Sequence, residues 1–133
     1  MTYVILYVST FAVFLALDYI GLSYIVKPVF DKHIPELILD KPRFLPALMF
    51  YAFYIGGLLW FVSLPALLDD RSVLWVFASG ALIGALAYGT YEFTSLAVTK
   101  GWSWEMVIVD VSWGMFLTGI SACAGVWATR TFG

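Results

Sequence analysis

Three carboxylates stand where a carboxylate is costly. Asp18, Glu92 and Asp110 each lie inside a long apolar run. An acidic side chain in a bilayer core costs roughly 2.5–3.5 kcal/mol on insertion scales, so each carries a functional hypothesis by default. Two roles fit such groups. They can form a ligand or proton site, or they can accept hydrogen bonds and lock a bundle. Donors for the second role are Tyr19, Tyr51, Tyr54, Tyr88, Tyr91, Thr90, Thr94 and Trp113.

Spacing brings the acids together. Asp18 is nine residues before Lys27, Glu92 eight before Lys100, and Asp110 six after Trp104. At the helical rise per residue, each sits roughly 9–14 Å inside the same membrane face. Tyr51 and Tyr54 lie at similar depth from Arg43. The expected ligand or proton site is Asp18, Glu92, Asp110, Tyr51, Tyr54, Tyr88 and Trp113, with no catalytic or metal-ligating set. Three carboxylates at one low-dielectric level do not all stay charged without a matching cation, and Glu92 is the one expected to be a neutral acid. Asp110, Gly114, Thr118, Ser121 and Gly125 form a stripe on one helix. Gly80, Gly84, Tyr88, Glu92 and Ser95 form another. Small residues at this spacing let membrane helices approach closely.

The elements that must position these groups follow from composition. Of 133 residues, 62% are hydrophobic and only 12% charged, with a mean hydropathy of +0.92. Soluble domains carry about 25% charged residues. The chain reads as one integral membrane domain spanning residues 1–133, all-α, a four-helix antiparallel bundle. The helices are expected at about 3–26, 44–68, 73–98 and 104–129. A long polar loop after the first helix, from Lys27 to Arg43, holds Pro28, Pro35 and Pro42, with a short interfacial helix near Pro35–Leu39. The first run lacks a basic n-region and carries Asp18, so it is expected to be a span rather than a cleaved signal. Trp60, Trp75, Trp102, Trp104 and Trp127 fall near helix ends, where an aromatic belt accounts for them.

Cysteine and histidine each occur once. That excludes CxxC chemistry, an internal disulfide, and multi-histidine iron or haem sites within one chain. No cofactor is expected. The net charge of −2 argues for no partner, and no basic nucleic-acid patch is present. Lys27, Lys32, Lys41, Arg43 and Lys100 lie on one side of the membrane, with Arg71 and Arg130 on the other. The positive-inside rule then places the long connection in the cytoplasm and both termini in the periplasm.

Particular stretches carry a resemblance. LALDYIGL at Leu15–Leu22, the KPxF run at Lys27–Phe30, YGTYEFTSLAVTKGW at Tyr88–Trp102 and VDVSWGMFLTG at Val109–Gly119 are similar to a bacterial membrane-protein family catalogued as domain of unknown function 2177. That family commonly has Asp at the position of Glu92 and Asn at Ser95, so the acid and the small polar group are kept. The resemblance covers essentially the whole chain. It implies a small four-helix protein of the bacterial inner membrane, and no chemistry.

Two function classes stand. The first is a non-enzymatic binding or accessory protein that holds a lipid-like ligand, with the bilayer, and a homo-oligomer or larger membrane complex, as partners. The second is a proton-coupled small-molecule transporter acting as an oligomer. An enzyme using the carboxylates as acid and base ranks behind both, because no nucleophile is evident beside them.

Overall fold

A computed structural model describes residues 2–38 and 43–133. Among these residues, four helices are long and apolar enough to cross a membrane: α1 (Thr2–His33), α2 (Phe44–Leu68), α3 (Val73–Val98) and α4 (Trp104–Phe132). Ser72 caps α3 by accepting from the Trp75 backbone N–H at 3.1 Å, and Ser103 caps α4 through the Met106 N–H at 3.2 Å. Each serine thus satisfies one of the free donors that open a helix. Gly101 turns the chain between α3 and α4 with φ +84°, a backbone setting that glycine adopts without strain.

The first helix does not stop at Lys27-Pro28. It passes through a π-turn at Leu22–Val26 and continues as α-helix over Lys27–His33. A proline ring clashes with the carbonyl one regular turn back and offers no N–H. The π-turn removes the conflict. The Lys27 N–H bonds to the Leu22 carbonyl, five residues back, and the widened turn admits Pro28. Helix α2 repeats the device, with a π-turn at Leu59–Ser63 and Pro65 two residues beyond it.

The expected long polar loop is therefore shorter and more ordered than its composition suggests. Phe30 and Ile34 are buried with Val26 and Met106 in a small cluster against α4, and that burial extends the helix. Lys27, Lys32 and Glu36 are exposed. Lys27 pairs with Asp31 at 2.7 Å, while His33 and Lys32 reach Glu105 at 2.8 and 3.3 Å. A 3₁₀ turn at Pro35–Leu37 stands where the interfacial helix was expected. Leu39, Asp40, Lys41 and Pro42 lie outside the described residues.

Helix α4 is the centre. Half of its most apolar stretch (50%) is buried, against 22–28% for the other three spans. Lipid tails are as apolar as leucine, so helices here associate through close packing rather than through water exclusion. The glycine stripes supply that closeness. A Cβ on Gly84 would run into the Gly114 carbonyl, and one on Gly80 would stand 3.0 Å from the Gly119 Cα. On the other side, Gly125 accommodates the Thr10 hydroxyl of α1. Helix α2 is tied more loosely, through Tyr7 Oη donating to the Ala52 carbonyl at 2.8 Å and the Tyr54–Thr118 hydroxyl pair at 2.9 Å.

Candidate functional site

Loose attachment of α2 leaves space. Cβ atoms on Gly56 and Gly57 would meet nothing within 4 Å. Helix α2 reaches α3 chiefly through its π-turn, so the two part toward the long connection. The result is a cavity of about 860 Å³ bounded by all four helices. Asp18, Leu22, Val26 and Phe30 line its α1 wall. Residues spaced four apart drift about 40° per step around a regular helix. The π-turn takes back part of that drift and keeps this row on the cavity.

Most of the expected site residues meet here. Asp18, Tyr51, Tyr54, Tyr88, Asp110 and Trp113 all line the cavity. Tyr51 lies beside Asp18, which faces Asp110 across the space. Trp113 is positioned by Gly21, since any Cβ there would fall within the indole ring. Tyr88 lies flat over Gly114 for the same reason.

Glu92 is placed differently. It is fully buried, lies behind Asp110 and does not line the cavity. Its Oε1 accepts from the Trp102 indole N–H at 3.0 Å. Its Oε2 has no N–H or O–H donor among the described residues, and the Asp110 carboxyl is a neighbour of Glu92. The three acids are thus a touching pair, Glu92–Asp110, with Asp18 opposite. Among the described residues no three His, Cys, Asp or Glu side chains are grouped to hold a metal ion.

Trp102 is the residue that sequence reasoning missed. Its position at a helix end suggested the aromatic belt. Instead its ring packs edge-on to Phe30 at 5.4 Å and Tyr91 at 5.8 Å, turned inward toward Glu92. The available signal was the tight Lys100-Gly101 turn, which folds Trp102 back over the last turns of α3. Lys27 belongs to the cavity wall as well. It lines the mouth of the cavity, with its ammonium engaged by Asp31.

The cavity has a neighbour on the outer side. A second groove of about 310 Å³ shares Phe50, Tyr54 and Ala87 with it and runs between α2 and α3 past Gly57, Leu58, Ile83 and Leu86. Phe53, Phe61 and Leu86 flank this groove on the outer surface, where they are exposed to what would be lipid.

No curated protein and no solved structure matches the chain. A family model described as a predicted membrane protein matches residues 3–127 and covers all four helices except the ends of the first and last. Four spanning helices and a match of that length make the chain a member of the membrane-protein family designated domain of unknown function 2177.

Proposed function

We propose that this protein is a non-enzymatic membrane binding protein that receives a lipid-like molecule sideways from the bilayer. The observation that carries the reading is an apolar, lipid-facing groove that shares Phe50, Tyr54 and Ala87 with a cavity whose wall holds Asp18 and Asp110. A chain entering between α2 and α3 brings its polar end to the carboxylates. Pockets for such ligands are concave, mostly apolar and carry few polar groups. Among the described residues no Ser, Cys or His lines the cavity beside the acids.

Ala87 lines both the cavity and the groove, so Ala87→Trp should plug the passage. Native mass spectrometry after detergent exchange is expected to find a lipid-sized adduct on the wild type and none on the variant. Equal adducts on both would overturn lateral binding.

The second reading, proton-coupled transport by an oligomer, is favoured by the Glu92–Asp110 contact, which can hold a proton beside the cavity. Proteoliposomes that pass protons only when a ligand gradient is present would support it over simple binding.

We place the protein in the bacterial inner membrane with both termini in the periplasm, on the Lys and Arg count and the family resemblance. Alkaline phosphatase fused after Gly133 is then expected to be active, and a fluorescent protein that folds only in the cytoplasm to stay dark. The reverse pattern inverts the topology and moves the acid layer toward the outer face.

A further inference from the structure

We propose that the polar end of the bound molecule is an organic ammonium. This rests on the reading that the cavity takes a lipid-like molecule, and it adds the chemistry of the head group. Asp110 is 8% exposed, lines the cavity, and accepts from no N–H or tyrosine O–H among the described residues. Its neighbour Glu92 is another carboxyl. Asp18 faces it from α1. The rings of Tyr51, Tyr54, Tyr88 and Trp113 line the same space.

Each of these features selects for positive charge. A carboxylate on the wall leaves acceptors without donors, and an ammonium supplies the donors with opposite charge. Aromatic faces attract a cation through their quadrupole, most strongly where water is excluded. A phosphate or sulfate head would meet two acids. Among the described residues Lys27 is the only lysine or arginine lining the cavity, and Asp31 holds its ammonium at 2.7 Å. A hydroxyl head would satisfy a carboxylate but gain nothing from the rings. The apolar groove fits the remainder of the molecule, an alkyl chain lying between α2 and α3.

The test uses three probes with one chain and different heads: decyltrimethylammonium, decanol and decyl sulfate. Binding to the full-length protein in neutral maltoside micelles is followed by native mass spectrometry. The ammonium is expected to bind at least about tenfold tighter than decanol, with decyl sulfate weakest. Asp18→Asn and Asp110→Asn keep side-chain shape, and each should weaken the ammonium by about tenfold while leaving decanol unchanged. Ala87→Trp should abolish binding of all three. Decanol or decyl sulfate binding as tightly as the ammonium to the wild type overturns the head-group assignment and leaves lateral binding standing. That comparison needs no variant to fold. If none of the three binds, the binding reading fails as well.

Discussion

Replacing Gly84 with alanine is expected to loosen the central helix pair, whereas the same change at Gly57 leaves it intact. A Cβ at Gly84 would lie 2.9 Å from both the carbonyl carbon of Gly114 and the Cα of Met115, and closer still to the Gly114 oxygen. These are backbone atoms of α4, so no rotamer change makes room, and the helices must separate. Overpacking of this kind costs about 1–3 kcal/mol even where neighbours can shift. Because close packing replaces water exclusion as the adhesive in lipid, that loss falls on the main contact of the bundle.

Gly114→Ala is a different case. Its Cβ would meet the ring of Tyr88, a side chain that can leave. Gly114→Ala should therefore destabilise alone and recover when combined with Tyr88→Ala, while no side-chain removal rescues Gly84→Ala. Unfolding midpoints in detergent read all four variants. A Gly84→Ala midpoint equal to that of Gly57→Ala would mean that α3 and α4 do not cross where the glycines place them.

A protonated carboxyl stretch should be visible in the infrared spectrum of the wild-type protein at neutral pH and disappear in Glu92→Gln. The argument is one of hydrogen bonding. An ionised carboxylate only accepts. Glu92 Oε1 takes the Trp102 indole N–H, Oε2 has no donor among the described residues, and the neighbouring Asp110 also only accepts when ionised. A buried polar atom without a partner costs free energy, and two touching carboxylates repel. One proton between them resolves both, with Glu92 donating to Asp110. The band should be lost as a unit rather than halved, because the pair shares the proton. Loss of the band in Asp110→Asn but not in Glu92→Gln would put the proton on Asp110. A wild type with no such band sinks the shared proton.

The structure separates the acids that the sequence left together. Glu92 is tied down by Trp102, as a bundle lock would be, while Asp18 and Asp110 open onto a space large enough for a ligand. Depth alone could not separate these roles. Glu92 and Asp110 sit at nearly the same distance from the turn at Lys100-Gly101, yet one faces the neighbouring helix and the other the cavity.

The α1 boundary shows a second limit. Lys27-Pro28 reads as a stop because proline breaks a regular helix. The π-turn before it and the burial of Phe30 and Ile34 against Met106 override that local rule. A π-turn has no signature in a hydropathy window, since it alters which carbonyl a backbone N–H meets and not which residues are apolar.

What the sequence by itself determined is what depends on one dimension. Membrane residence, the four spans, the shared depth of Asp18, Glu92 and Asp110, and the glycine stripes all follow from hydropathy, rise per residue and helical period. The tertiary structure alone decided what depends on rotation and separation: that Glu92 touches Asp110, that Trp102 turns inward, and that α2 stands away from α3 to leave a cavity joined to the lipid face. Each residue advances a helix by about 100°, so a single π-turn or a close glycine crossing re-aims every side chain beyond it. That rotation is set by the packing of neighbouring helices, which no stretch of one helix contains.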